Sequence, residues 1–162
     1  MVDEYKEVFE TTFSLIEQYE GFKCHAYLCP SGKLTIGYGT TVYSNGSLVR
    51  KNDSITREMA KAEVFNFCRK YCYPEIVDLQ ESYGNILTVQ AKGALMSLIY
   101  NVGPVNFRRS NLRNLILSNA RQEQIVVEWL KWIYSNGRIL DGLINRRKEE
   151  LRVFFGGRAF RK

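Results

Sequence analysis

Residues 19–42 read YEGFKCHAYLCPSGKLTIGYGTTV, and the chain changes character inside them. Upstream, Phe9, Phe13, Ile16 and Glu20 are spaced by four, three and four residues. That spacing puts them on one face of a helix, predicted over residues 5–19. Glu20 falls at the end of this apolar stripe, where Gly21 stops the helix. A carboxylate at that place borders the core instead of pointing freely into water. Downstream, HAYL (25–28), LTIGYG (34–39) and SLVR (47–50) are short β-prone runs. Ser31-Gly32 and Asn45-Gly46 are hairpin-type turn signals between them, and a small antiparallel sheet is predicted.

From Thr56 the helical period returns. Thr56 is a good N-cap with Glu58 in the first turn. Ala60, Val64, Phe67, Cys68 and Tyr71 form the apolar face of this helix, which Pro74 is predicted to close. Thr88 caps a second helix carrying Ala91, Leu95, Leu98 and Ile99, ending near Gly103-Pro104. Further helical stretches are predicted at about 110–118, 122–134 and 142–154, with stops at Asn136-Gly137 and Gly156-Gly157. Helix, small sheet, then many helices is an α+β order.

At 162 residues the chain fits one domain and can bury a core without disulfides or metals. No apolar run reaches the length needed to span a bilayer, so no stable membrane insertion is expected. The start, MVDEYKEVFETTF, is acidic and polar, without the basic, apolar and small-residue regions of a secretory signal. The expectation is a protein held in the cytoplasm where it is made. The net charge of +6 is uneven. Residues 106–162 carry thirteen Lys/Arg against five Asp/Glu, and residues 1–105 ten against twelve. A basic C-terminal part suits an anionic polymer, either nucleic acid or bacterial cell wall, and equally a solvated basic face. No nucleic-acid-binding motif is visible, and the aromatics sit at core spacing, so nucleic acid is not the expected partner.

Eight residues separate Glu20 from Cys29 and five separate Cys29 from Thr35. Glycoside hydrolysis needs an acid to protonate the leaving oxygen and a second group as nucleophile or base. A carboxyl group at the edge of an apolar face suits the acid role. The spacing, with the run Thr35-Ile36-Gly37-Tyr38-Gly39, resembles the active-site signature of phage-type lysozymes, glycoside hydrolase family 24. ALMSLIYNVGPVNFRRSNL (94–112) and GRILDGLINRRKEE (137–150) are similar to helical-lobe segments of that family. The resemblance implies one lysozyme-like domain over residues 1–162. Residues 21–55 would form a small β-containing lobe, and residues 1–20 with 56–162 a larger helical lobe, with the active-site cleft between them. It implies a muramidase that cleaves the β-1,4 bond between N-acetylmuramic acid and N-acetylglucosamine in bacterial peptidoglycan, for host-cell lysis. It further implies a monomer needing no cofactor and no metal, released to the wall by a separate membrane-permeabilising protein. Carried over residue by residue, Glu20 is the general acid and Thr35 helps hold the attacking water. Asn101, Tyr38 and Gly39 line the substrate cleft, and Arg146 pairs with Glu20, although Arg147 is adjacent.

Two positions depart from the family pattern. Cys29 stands where the family usually has Asp, and Thr40 where many relatives have His. A thiol is a poor base or nucleophile until it ionises. Cys29 either replaces the carboxylate or is a small apolar filler in a weakly active glycan binder. His25, the one histidine, falls on the same strand side as Cys29 at a two-residue period. A Cys–His hydrolase cutting wall peptides is therefore the rival enzyme. Stable disulfides among Cys24, Cys68 and Cys72 are not expected before release, and Cys68 and Cys72, which share a helix face, are read as core packing and not as a metal site.

Overall fold

The computed structural model describes residues 3–83, 87–135 and 137–156. Asn136 and Gly157, two of the predicted helix stops, lie outside the described residues.

Helix α1 spans Glu4–Glu20. Asp3 caps it by accepting from the Tyr5 N–H, and it buries Val8, Phe9, Phe13 and Ile16 along the predicted stripe. Gly21, at φ 66°, ends it. Strands β1 (Lys23–Leu28) and β2 (Leu34–Gly37) pair antiparallel, Tyr27 facing Thr35 and Leu28 facing Leu34. The turn between them is closed by the Gly32 N–H donating to the Cys29 carbonyl at 2.8 Å. Pro30 takes the second turn position, and Gly32 the positive φ of 79°. The predicted turn at Ser31-Gly32 is thus where the chain reverses.

The third run does not become a strand. Val42 and Leu48 meet in a single bridge, and Leu48 is exposed. β1 is instead lined on its other edge by the loop at 53–55, through Ala26 N–H to the Asp53 carbonyl and Ile55 N–H to the Cys24 carbonyl. The Asp53 carboxylate accepts from Tyr43 Oη and from the Arg50 N–H, at 3.0 and 2.8 Å. Loop backbone bonds and these side-chain bonds together hold this lobe where a strand ladder was expected.

Helix α2 (Arg57–Phe67) starts at Thr56, whose hydroxyl accepts from the Met59 N–H. Pro74 does not end it. A single π turn, Cys68–Cys72, carries the helix on into α3 (Tyr73–Tyr83). Within the π turn the Tyr73 N–H reaches five residues back to the Cys68 carbonyl. The widened turn admits a proline, which has no N–H for the ordinary ladder. It also changes the face: Cys68 and Cys72 are fully buried, whereas Tyr71, expected on the apolar side, is turned out.

Helix α4 (Val89–Val102) is the central element, with every residue from Ala91 to Ile99 buried, and it packs against α1 and the last helix. At the α1 crossing Thr12 Oγ1 donates to the Gly93 carbonyl at 3.0 Å. Short helices α5 (Pro104–Arg108), α6 (Asn111–Leu117) and α7 (Gln122–Trp129) wrap the lobe. The helix predicted over 122–134 stops at Trp129. A two-residue hairpin, β3 (Tyr134–Ser135) and β4 (Arg138–Ile139), follows and leads into α8 (Asp141–Phe154). The architecture is α+β and lysozyme-like: a small two-stranded lobe beside a larger helical one, sharing one buried apolar cluster.

Candidate active site

Between β1–β2 and the helical lobe lies a cleft of about 560 Å³. Glu20, Cys29, Thr35, Gly39 and Asn101 all line it. Five of the residues singled out from sequence are therefore brought together, from α1, the hairpin tip, β2, the turn after it and α4.

Glu20 is a quarter exposed, at the mouth of the core. Its Oε1 accepts from Arg146 Nη1 at 2.5 Å and from Asn101 Nδ2 at 3.5 Å. Arg146, not Arg147, is the pairing arginine, as the resemblance implied. Burial opposes the charge of Arg146, but Glu150 and Glu20 outweigh it and hold its pKa above the ordinary value. Gly39, at φ 94°, brings bare backbone against the acid. A Cβ at that position would lie 3.6 Å from Glu20 Oε2.

Cys29 caps the hairpin tip. Its Sγ is 3.0 Å from Ser31 Oγ. The Ser31 hydroxyl, then that of Thr35, then the backbone at Lys33 stabilise the thiolate and bring the thiol down to about 6. Hydroxyl and backbone donors, not a neighbouring cation, are the cause. Thr35 Oγ1 donates to the Lys33 carbonyl at 3.1 Å and is itself buried. A hydroxyl carries one proton, so Thr35 holds that carbonyl or turns to the thiolate, and its lone pairs remain open to a water.

Tyr38 corrects the sequence reading. Its side chain is buried, edge-on to Phe13, with Oη donating to Glu17 Oε1 at 3.1 Å. It supports the cleft through its carbonyl, which accepts from Tyr100 Oη at 2.8 Å, and does not line it. His25 is also absent from the cleft lining and pairs across to Ser54. The β1–β2 register slips between Lys23 and Tyr27, which breaks the two-residue period that put His25 beside Cys29. Thr40, the second departure from the family pattern, lies in the cleft.

Sequence reasoning missed Tyr27, Glu63, Phe67 and Tyr100, all in the lining. Tyr27 had a signal, standing on β1 two residues before Cys29. Burial first, then the charges of Glu20 and Cys29, raise its phenol. Tyr27 thus senses both groups.

Fold and cleft together define a lysozyme-like glycosidase, and the comparisons with known proteins agree. The phage lysozyme family model matches residues 17–150. The endolysin of Acyrthosiphon pisum secondary endosymbiont phage 1 is 33% identical over 144 residues, covering 86% of this chain and 92% of that protein. The endolysin of Bacillus phage PZA is 30% identical over 153 residues, 93% of this chain. This chain spans only 56% of that longer relative. Among solved structures, the endolysin of Escherichia coli O157:H7 phage FAHEc1 superposes with a TM-score of 0.76 over 94% of each chain, at 23% identity. At that identity the likeness speaks for the fold. The chain belongs to the phage lysozyme family.

Proposed function

We propose that this chain is a muramidase of endolysin type, hydrolysing the β-1,4 bond between N-acetylmuramic acid and N-acetylglucosamine in peptidoglycan. The observation that carries the reading is the meeting in one cleft of Glu20, held by Arg146, with Cys29 and Thr35. Glu20 gives its proton to the glycosidic oxygen. Cys29, as thiolate, takes the part of the second carboxylate, and Thr35 places the attacking water. Asn101 and the bare backbone at Gly39 shape the sugar site. One domain of two lobes supplies all of these, working as a monomer. In this reading the enzyme reaches the wall from the host cytoplasm through a membrane opened by a separate protein. Among the described residues no helix is long and apolar enough to cross a membrane.

The test is reducing-sugar release from purified peptidoglycan. Wild type is expected to release it. Glu20→Gln keeps the shape without the proton and is expected to lose about 10²–10⁴-fold. A variant that retains more than a tenth of wild-type activity removes Glu20 from the acid role.

A further inference from the structure

Behind Glu20 lies a polar network that the active-site signature does not include. Arg146, Arg147 and Glu150 are all fully or almost fully buried on α8. Glu150 accepts from Ser97 Oγ at 2.8 Å, Trp129 Nε1 at 3.2 Å, Arg146 Nε at 3.0 Å and Arg147 Nη2 at 3.2 Å. Arg147 Nη2 also donates to Asn101 Oδ1 at 3.1 Å. Asn101 Nδ2 and Arg146 Nη1 both donate to Glu20 Oε1. The bonds close a ring: Glu20, Arg146, Glu150, Arg147, Asn101 and back to Glu20. It ties α1, α4 and α8 together at the cleft.

We propose that Glu150 is a positioning residue for the hydrolysis: it holds the two buried guanidinium groups so that Arg146 and Asn101 present donors to Glu20, and its charge leaves one net cation behind the acid. The inference rests on the acid role of Glu20. Two buried guanidinium groups on adjacent residues repel each other and need an anion between them. Four donors from α4, α7 and α8 fix the Glu150 carboxylate in that place. Arg147 shows how little charge compensation there is to spare. Its Nε lies 3.0 Å from Glu150 Oε2, close enough for an ion pair, yet without hydrogen-bond geometry. Its Nη1 has no hydrogen-bond partner among the described residues. Burial, helped by Arg146 and opposed by Glu150, lowers its pKa to about 10. The Arg147–Asn101 bond also settles which end of the amide faces Glu20, since Oδ1 is taken by the guanidinium.

The other titratable groups facing Glu20 are Tyr100 on α4, Tyr27 on β1, Cys29 at the hairpin tip and Glu63 on α2. Tyr19, on α1, is sensitive to the charges of Glu149 and Glu150 and donates to the Asn145 carbonyl. None of these is a cation, so the positive charge facing Glu20 comes from Arg146 and Arg147, less the charge of Glu150.

The experiment is the pH profile of reducing-sugar release for wild type, Glu150→Gln, Glu150→Asp, Arg147→Gln and the double variant Glu150→Gln/Arg147→Gln. Loss of the Glu150 charge leaves an unmatched cation that favours the carboxylate form of Glu20. The alkaline limb of Glu150→Gln is expected to move to lower pH by about one unit, the low end of the effect of a close charge. Arg147→Gln is expected to move it the other way. The double variant and Glu150→Asp are expected to restore it, whatever their overall rate. A Glu150 that merely supports the fold would lower activity at every pH without moving the limb, and that result overturns the proposal. If Glu150→Gln does not fold, Arg147→Gln decides alone: an unmoved limb is fatal. The ¹³C shift of the Glu20 carboxyl across pH reports the same displacements without turnover. A chain that released no reducing sugar would thus sink the muramidase reading, while the carboxyl titration would still judge the network.

Discussion

At Cys29 a thiol stands where the resemblance implies a carboxylate. An ordinary thiol, with a pKa of about 8.5, would be mostly protonated at neutral pH. The hairpin tip changes that: the hydroxyl of Ser31 first, then that of Thr35, brings Cys29 to about 6. The sign of the pH dependence follows. In the proposed mechanism the working form is the thiolate, so activity is expected to fall as pH drops through about 6, by about tenfold per unit below it. Cys29→Asp is expected to keep activity and carry it to lower pH by about two units, toward the ordinary Asp range near 4. Cys29→Ser is expected to be nearly inactive, because a hydroxyl is far harder to ionise. Turbidity loss of cell walls across pH reads both. If the serine variant lyses walls as fast as wild type, the thiolate has no part in the reaction. His25→Ala separates the rival chemistry: with its imidazole outside the cleft lining, most activity is expected to remain. Near-complete loss, together with lost release of free amino groups from the wall, would favour a peptidase instead.

At the scale of elements, the site depends on how closely α4 approaches α1. A Cβ on Gly93 would meet Thr11 Cβ at 2.5 Å and the Val8 carbonyl at 3.1 Å. Rotation of Thr11 cannot move its own Cβ, so the helices must separate. Alanine would gain about 1 kcal/mol of helix propensity over glycine, and overpacking costs about 1–3 kcal/mol. Because the nearest atom cannot yield, the clash is expected to win. Gly93→Ala should lower the urea midpoint by the equivalent of about 1 kcal/mol, with little change in slope. An unchanged or raised midpoint would show that the crossing has slack. The same helices carry Glu20 and Asn101, so activity is expected to drop along with stability.

Over the whole molecule, the basic C-terminal part is less free than its composition suggests. Arg108 pairs with Glu75, Arg113 with Asp78, Lys131 with Glu128 and Arg152 with Glu149. Arg146 and Arg147 are buried with Glu20 and Glu150. Arg109, Arg121, Arg138 and Lys148 are exposed and have no ion pair among the described residues. Among the described residues of this part, these four are the cations left for an anionic wall. Salt is therefore expected to weaken pelleting with cell walls, since exposed charges are screened within about 8 Å at physiological ionic strength. Replacing all four with glutamine should flatten that salt dependence. Pelleting that is equal at low and high salt would show that charge does not hold the protein to the wall.

The local signals in the sequence determined most of the architecture. The four-three-four spacing of the α1 stripe, the Ser31-Gly32 turn and the Thr56 and Thr88 caps each act within a few residues, so they could be read without the fold. The motif spacing marked Glu20, Cys29 and Thr35, and the family resemblance added Gly39 and Asn101; all five line the cleft. Only the tertiary structure decided what depends on neighbours distant in sequence. It buried Tyr38 against Phe13, although its motif position pointed to the cleft. It let a π turn absorb Pro74, and it slipped the β1 register so that His25 pairs with Ser54. It also turned two adjacent arginines inward around Glu150. The resemblance paired Arg146 with Glu20, but nothing local says that Arg147 turns inward too or that Glu150 is the buried carboxylate that meets both. That meeting requires α1, α4 and α8 to converge, and convergence is set by packing over more than a hundred residues of chain separation, as Arg146 and Glu20 show.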